Sequence, residues 1–167
     1  MPVILCALGY NDVVQSKRTF EELKQDTLDV WREASSAGKR AVYQTTITPR
    51  TTSEDGWATA SDQRAADLDT EAVRVAFNNW LRDGSALRES HGSLTGIVDV
   101  AAQVEVNERN EPTLNGGRWV TNGKPYWPTA DGFHPAPAGH ELMGRAITPE
   151  LAEFWRRGAG KQGSTPK

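Results

Sequence analysis

The fold of this chain is decided by the stretch Val3-Ile4-Leu5-Cys6-Ala7-Leu8-Gly9-Tyr10-Asn11-Asp12. A short, unbroken apolar run that ends in glycine and asparagine is typical of a buried parallel strand leading into a loop at its carboxyl end. Open α/β sheets place their functional sites at that edge. Gly9 allows a tight turn, and the side-chain amide of Asn11 is a neutral donor that can stabilise an oxyanion. Taken alone, Gly9–Asp12 is more typical of an Asx-type turn that only begins the next helix.

A second stretch with chemical content lies near the other end of the chain, at Asp131-Gly132-Phe133-His134-Pro135. An acid three residues before a histidine can form the acid–base half of a catalytic triad. In such a triad the carboxylate holds the imidazole in one tautomer and stabilises the imidazolium. Pro135 and Pro137 keep the loop from becoming helical, so a helix is predicted only from about Ala138. The alternative is a surface turn with an incidental histidine.

In this order, the two motifs closely resemble those of the SGNH (GDSL-type) hydrolase family. Gly9-Tyr10-Asn11-Asp12 matches the third conserved block of that family, and Asp131-Gly132-Phe133-His134-Pro135 matches the fifth. Weaker similarities are the helix end Asn78-Asn79-Trp80-Leu81-Arg82 and the strand Ile97-Val98-Asp99-Val100. The resemblance extends from about Val3 to Trp155.

The chain departs from the family pattern in its nucleophile. The family's first block, Gly-Asp-Ser, and its second block, with an oxyanion-hole glycine, are both absent, and both would precede Val3. Ser85 follows a helix in Asp83-Gly84-Ser85, where these residue types stand in another order. Ser93 lacks a strand-to-helix elbow. The sequence therefore predicts an acid, a base and an oxyanion donor, with no nucleophile in this chain.

The resemblance implies a flavodoxin-like, three-layer α/β/α fold with a parallel sheet in strand order 2-1-3-4-5, of which this chain supplies the last three strands. It also implies a serine ester hydrolase with His134 as base, Asp131 as its orienting acid, Asn11 in the oxyanion hole and Gly9 in the oxyanion loop. Its substrates would be small-molecule, lipid or acylated-carbohydrate esters. No metal or cofactor is implied, and the chain alone is expected to be inactive.

The absent strands would leave Val3–Leu8 as a hydrophobic edge strand with open backbone groups. Such an edge predicts self-association, or pairing with an N-terminal fragment that carries the missing strands. Two βα units of about 30 residues each would place that gap at roughly 60 residues or more. The second class of function is therefore a non-catalytic pseudoenzyme, or a complementing subunit that pairs through this edge.

Length and composition exclude other classes of protein. The chain has 167 residues, 37% of them hydrophobic, and a net charge of −3 from 19 basic and 22 acidic side chains. Without a basic stripe, neither nucleic acid nor an anionic membrane is predicted as a partner, and no apolar stretch approaches the roughly 20 residues of a membrane span. The single cysteine, Cys6, predicts a packed thiol. Met1–Leu8 lacks the basic leader of a signal sequence, and the sequence does not assign the protein to a cellular compartment.

Hydrophobic periodicity predicts the remaining regular elements. Thr19 and Glu22 form a capping-box pattern for a helix that ends at Gly38. Strands are predicted at Ala41–Ile47 and Gly96–Val100. Between them, a helix carries the apolar residues from Leu68 to Trp80.

The end of the chain is predicted to hold one long helical region. Thr148-Pro149 is expected to break the helix that begins near Ala138 and to restart a short turn. We expect a single domain over residues 1–157 and a disordered tail over residues 158–167.

Two polar loops carry aromatic side chains towards the predicted site. Trp57 lies in the first, and Trp119, Tyr126 and Trp127 lie in the long connection that leads to Asp131, where the turns also allow a small hairpin. These four aromatic residues would either border a substrate pocket or pack beneath the loops.

The three histidines also admit a metal hypothesis. A site formed by Asp131, His134 and His140 fits no standard zinc spacing, so no metal is predicted. His91, alone in a Gly/Ser-rich loop, is expected to be solvated.

Overall fold

The computed structural model describes residues 2–37 and 41–159. The strands of these residues, in chain order, are β1 (Val3–Cys6), β2 (Ala41–Thr45), β3 (Thr51–Thr52), β4 (Arg64–Ala65), β5 (Gly96–Val98), β6 (Glu105–Val106) and β7 (Arg118–Trp119). The α-helices are α1 (Tyr10–Val14), α2 (Phe20–Ser36), α3 (Leu68–Arg82), α4 (Ser85–Glu89) and α5 (Pro137–Ala159).

The central sheet is parallel and has the order β1-β2-β5. Val3 pairs with Ala41, and Tyr43 pairs with Gly96, so β2 is the middle strand. This arrangement confirms the predicted α/β class with a parallel sheet. Each strand is shorter than the segment predicted for it. In β2 the reason is visible at Ile47, whose backbone N–H and C=O both bond to the side chain of Asn78 instead of to a neighbouring strand.

Helices pack on both faces of this sheet. On one face, α2 and α3 bury Trp31, Phe77 and Trp80, and the rings of Trp31 and Trp80 stack with centroids 5.5 Å apart. On the other face, α5 packs against Tyr43 and its neighbours in the sheet. Successive residues of β2 point to opposite faces, and all five are buried, as a strand in a sheet covered on both sides requires.

The start of α2 follows the predicted capping box. The Thr19 hydroxyl accepts from the Glu22 backbone N–H, and the Glu22 carboxylate accepts from the Thr19 backbone N–H at 2.9 Å. The helix α3 begins after Asp67, whose carboxylate accepts from the Thr70 backbone N–H at 2.8 Å. The predicted helix end at Gly38 lies outside the described residues.

The predicted break at Thr148-Pro149 is wrong, because α5 runs through Pro149 without interruption. Met143 and Ile147 before the proline and Phe154 after it pack against the same face of the sheet. Burying both halves together opposes the roughly 3 kcal/mol that an internal proline costs. The helix also takes in the first two residues of the predicted tail, 158 and 159. The rest of that tail, residues 160–167, lies outside the described residues.

Two small antiparallel hairpins flank the carboxyl edge of the sheet. The strands β3 and β4 form the first, and β6 and β7 form the second, as the turns of the long connection had allowed. In the loop of the first hairpin, the Asp62 carboxylate accepts from the Ser53 hydroxyl and from the backbone N–H groups of Glu54 and Asp55. Carboxylate acceptors thus replace a regular ladder there.

Candidate active site

Asp131 and His134 form a hydrogen-bonded pair. His134 Nδ1 lies 2.6 Å from Asp131 Oδ2, and Asp131 Oδ1 accepts from the backbone N–H groups of Phe133 and His134 at 2.9 and 2.7 Å. With an ionised carboxylate, Nδ1 is the donor and Nε2 is left as the proton acceptor. The pair is therefore arranged as the acid–base half of a triad, on an exposed loop.

Hydrogen bonding holds the Asp131 carboxyl in its charged form. Burial raises the pKa of this carboxyl, but the bonds from the His134 ring and from the two backbone N–H groups together lower it by more. The net result is a pKa below the usual range for aspartate. An anionic Asp131 can stabilise the imidazolium that forms when His134 takes up a proton.

The Thr129 hydroxyl hydrogen bonds to two backbone groups of this loop. The Thr129 side chain is fully buried, and its hydroxyl accepts from the Gly132 backbone N–H at 3.0 Å while donating to the His134 carbonyl at 2.8 Å. The backbone that carries the histidine is thus fixed by one internal hydroxyl.

Gly132, in this loop, is held against the first hairpin and Trp119 by hydrogen bonds to its carbonyl. Its carbonyl accepts from the Thr51 backbone N–H at 3.0 Å and from Trp119 Nε1 at 3.1 Å. Its φ of +75° lies in the left-handed region, and an added Cβ would overlap the Thr51 carbonyl and lie 2.7 Å from Trp57 Cζ2. The position therefore requires glycine.

The two sequence motifs meet through an aromatic stack. The rings of Tyr10 and Phe133 are parallel within 15°, with centroids 4.0 Å apart. The Phe133 ring in turn lies 3.9 Å from the His134 ring. The structure thus brings the residues after β1 to the loop of the acid–base pair, although more than a hundred residues separate them in the chain.

The predicted oxyanion residues lie at this junction. Gly9 is buried with φ +106°, and a Cβ there would lie 2.9 Å from Ile47 Cδ1. Asn11 is exposed in the first turn of α1. Among the described residues, its side-chain amide makes no hydrogen bond, so both of its N–H groups remain able to donate. The short helix α1 itself was not predicted.

The four candidate pocket aromatics divide into two pairs. Trp119 is fully buried and Trp57 is 9% exposed, and the Trp57 Nε1 donates to the Thr51 hydroxyl at 2.9 Å. This pair packs beneath the Gly132 loop, which is the second of the two roles that the sequence had left open. Tyr126 is 59% exposed and Trp127 is half-buried, so these are the two of the four that are accessible to solvent.

A buried ionic network beside the site was missed by the sequence reasoning. Glu105 is fully buried, and its carboxylate accepts from Arg74 Nη2 at 2.7 Å and lies 3.5 Å from Arg82 Nη2. Arg82 also forms a two-point pair with Asp99, at 2.8 and 2.9 Å. Polar residues spaced four apart on α3, at positions 74, 78 and 82, were the available signal, since they share one helix face.

The serines considered in the sequence are engaged elsewhere. The Ser85 hydroxyl accepts from Arg88 Nη2 at 2.8 Å, and the Ser93 hydroxyl donates to the Ser90 carbonyl at 2.8 Å. Within the described part of the chain, the one side chain that hydrogen bonds to the His134 imidazole is Asp131.

The described residues contain neither a cluster of metal ligands nor a membrane-spanning helix. Over residues 2–37 and 41–159, no three His, Cys, Asp or Glu side chains are grouped as metal ligands would be. None of the helices in these ranges has the length and apolar character needed to cross a bilayer.

Comparison of the chain with protein-family models and with curated proteins gave no significant match.

Proposed function

We propose that this chain is the acid–base portion of a serine ester hydrolase of the SGNH (GDSL) type. The observation that carries the proposal is the 2.6 Å pair of His134 and Asp131, joined to the Gly9–Asp12 stretch by the Tyr10–Phe133 stack. The parallel order β1-β2-β5 fits the last three strands of a flavodoxin-like sheet.

In this proposal, the nucleophile is a serine on a segment outside these 167 residues. His134 Nε2 takes the serine proton as the oxygen attacks the ester carbonyl, and Asp131 stabilises the imidazolium. The Asn11 amide donates to the oxyanion of the tetrahedral intermediate. The intermediate collapses, the alcohol leaves with the proton from His134, and water then hydrolyses the acyl-enzyme by the same steps.

The substrates proposed are small-molecule, lipid or acylated-carbohydrate esters. We assign contacts with these esters to Tyr126 and Trp127, because they are the two candidate pocket aromatics that are not buried. All the proton transfers are made by side chains, so the proposed mechanism calls for no metal or cofactor. Losing the serine of such a triad costs on the order of a millionfold in kcat, and the chain alone is therefore expected to be nearly inert.

Fluorophosphonate labelling, read by intact mass and peptide mapping, tests this proposal. We expect no adduct on the chain alone, and a serine adduct on an added fragment that carries a Gly-Asp-Ser strand. His134→Ala should abolish that labelling, whereas His91→Ala, which changes an exposed histidine in another loop, should leave it intact. Stoichiometric labelling of the chain alone, at Ser85, Ser93 or another serine, would contradict the absence of a nucleophile.

The second candidate function is a non-catalytic subunit that pairs through β1. Among the described residues, β1 hydrogen bonds only to β2, and Leu5 and Leu8 near its open edge are 36% and 43% exposed. Binding of the strand-bearing fragment without any serine labelling would favour this candidate.

A further inference from the structure

A fully buried glutamine joins the two hairpins that flank the acid–base loop. Gln63 lies directly before β4, and its side-chain oxygen accepts from the Trp119 backbone N–H at 2.8 Å. Its side-chain nitrogen donates to the Trp119 carbonyl, also at 2.8 Å. The amide thus bonds to both backbone groups of one residue in β7, as a neighbouring strand would. An apolar side chain of similar size could make neither bond.

Trp119 extends this connection to the peptide between Gly132 and Phe133. Its indole Nε1 donates to the Gly132 carbonyl at 3.1 Å, and the Thr51 backbone N–H donates to the same oxygen at 3.0 Å. The Thr51 hydroxyl in turn lies 3.4 Å from the Gln63 side-chain oxygen. Both donors to the Gly132 carbonyl therefore belong to residues that bond to the buried amide.

The same peptide also holds the carboxylate of the acid–base pair. Its N–H, that of Phe133, donates to Asp131 Oδ1 at 2.9 Å, while Asp131 Oδ2 lies 2.6 Å from His134 Nδ1. Because a trans peptide is planar, its C=O and N–H groups point in opposite directions. The donors to the Gly132 carbonyl therefore fix the direction of the N–H that binds the carboxylate.

We propose that Gln63 is a positioning residue for His134. None of its hydrogen bonds within the described residues reaches the pair, so it acts through Trp119 and the peptide after Gly132 to keep the Asp131 carboxylate facing Nδ1. The proton of the neutral imidazole is then held on Nδ1, and Nε2 stays the proton acceptor. The role in ester hydrolysis rests on the proposed function, whereas the effect on the tautomer of His134 does not.

Nitrogen NMR of the histidine-labelled chain tests this role without any partner. At about pH 8.5, where a free histidine side chain is neutral, the two ring-nitrogen shifts give the ratio of the Nδ1–H to the Nε2–H tautomer of His134. We expect the Nδ1–H form to predominate in the parent chain. Gln63→Met keeps the length of the side chain but loses both bonds to Trp119, and should lower the ratio by about fivefold or more.

Gln44→Met is the matched control for a general loss of stability. Gln44 is also fully buried, and it accepts from an indole N–H, that of Trp31, at 3.1 Å. It lies in β2, and its side-chain nitrogen donates to the carbonyls of Leu8 and Thr45. Because these bonds do not lead to the acid–base loop, this variant should leave the His134 ratio unchanged.

Trp119→Phe breaks the same connection at its other end. It keeps the backbone groups that bond to Gln63 but removes the Nε1 donor to the Gly132 carbonyl. It should lower the His134 ratio as Gln63→Met does, and it decides the proposal if Gln63→Met does not fold.

Each outcome bears on the proposal. A parent chain with mainly the Nε2–H form, an unchanged His134 ratio in Gln63→Met or Trp119→Phe, or an equal fall in Gln44→Met would overturn it. Fluorophosphonate labelling with the added Gly-Asp-Ser fragment tests the hydrolase separately. A lowered ratio without serine labelling of the complemented parent would support the positioning role and count against the ester hydrolase. Labelling of the parent with an unchanged ratio in Gln63→Met would do the reverse.

Discussion

The loop of Asp131 and His134 and the strand β1 both lie at the surface, but they differ in how far their polar groups are satisfied. In the loop, both Asp131 oxygens, the Thr129 hydroxyl and the Gly132 carbonyl all have partners. In β1, the described residues supply hydrogen bonds on the β2 side alone. The two exposed regions therefore differ: the loop has its polar groups hydrogen-bonded within the chain, whereas β1 has an open edge.

This difference indicates which interactions hold each region in its conformation. The loop is supported by buried groups that come from distant parts of the chain, so its geometry does not depend on a partner. An edge strand with unpaired backbone groups is completed by another strand. Four changes test this contrast, and the largest effects are expected where the support is most deeply buried.

Replacement of Gly132 by alanine should have the largest effect. A Cβ would overlap the Thr51 carbonyl, and alanine is unfavourable at φ +75°, so we expect a loss of about 3 kcal/mol or more in the free energy of unfolding. Denaturant titration measures it. Gly123→Ala is the matched control, since Gly123 has φ +85° but nothing within 4 Å of an added Cβ, and should lose only about 1 kcal/mol. Equal losses of stability in the two variants would mean that the close contacts of Gly132 with Thr51 and Trp57 do not stabilise the protein.

Glu105→Gln tests the buried network beneath the site. Removing the carboxylate leaves the guanidinium of Arg74, which is 3% exposed, with one fewer anionic partner. Leaving a buried charge wholly unpaired typically costs about 3–5 kcal/mol, and since Arg74 keeps its pair with Glu71 we expect a smaller loss of about 2 kcal/mol. Thermal or denaturant unfolding reports the change. Glu141→Gln breaks an exposed pair with Arg145 and should leave stability unchanged within error. A stable Glu105→Gln protein would show that the network does not support the site.

Leu5→Lys tests the open edge. We expect the parent chain to self-associate through β1, and a lysine on this edge to weaken that association by about tenfold or more. Sedimentation velocity over a range of concentrations measures it. Leu114→Lys changes a more exposed leucine that lies outside the sheet, and should have no effect. A parent chain that remains monomeric and monodisperse would contradict the predicted association.

The pH dependence of Asp131 should be the smallest effect, because its side chain is 49% exposed. Its pKa is lowered in the folded state, so its stabilising contribution is present above the unfolded pKa and is lost as the pH falls through the folded pKa, below 3.8. Carbon-detected NMR titration should show this low pKa. Asp131→Asn should flatten the acid limb of the stability curve, and an Asp131 pKa at or above 3.8 would contradict the hydrogen bonding described.

Local patterns in the sequence were sufficient to predict the strands and helix starts in which they lie. The apolar runs predicted three parallel strands, and Thr19 with Glu22 predicted the start of α2, because a cap and a strand each depend on a few adjacent residues. The motif Asp131–His134 also predicted the acid–base pair, since an Asp accepting from backbone N–H groups two and three residues ahead is a local turn. The biochemical roles assigned to these residues remain predictions.

What required the tertiary structure was every feature that joins distant residues. The Tyr10–Phe133 stack and the ion pairs of Arg74 and Arg82 with Glu105 each depend on which elements the sheet order brings together. The same reason explains the wrong break at Pro149, where packing of both helix halves on one sheet face outweighed a local preference. The sequence by itself therefore determined the strands, the caps and the hydrogen-bonded pair of Asp131 and His134. The tertiary structure decided which side chains surround these elements. The physical reason is that ring stacking and charge pairing between distant residues depend on contacts that no local pattern encodes.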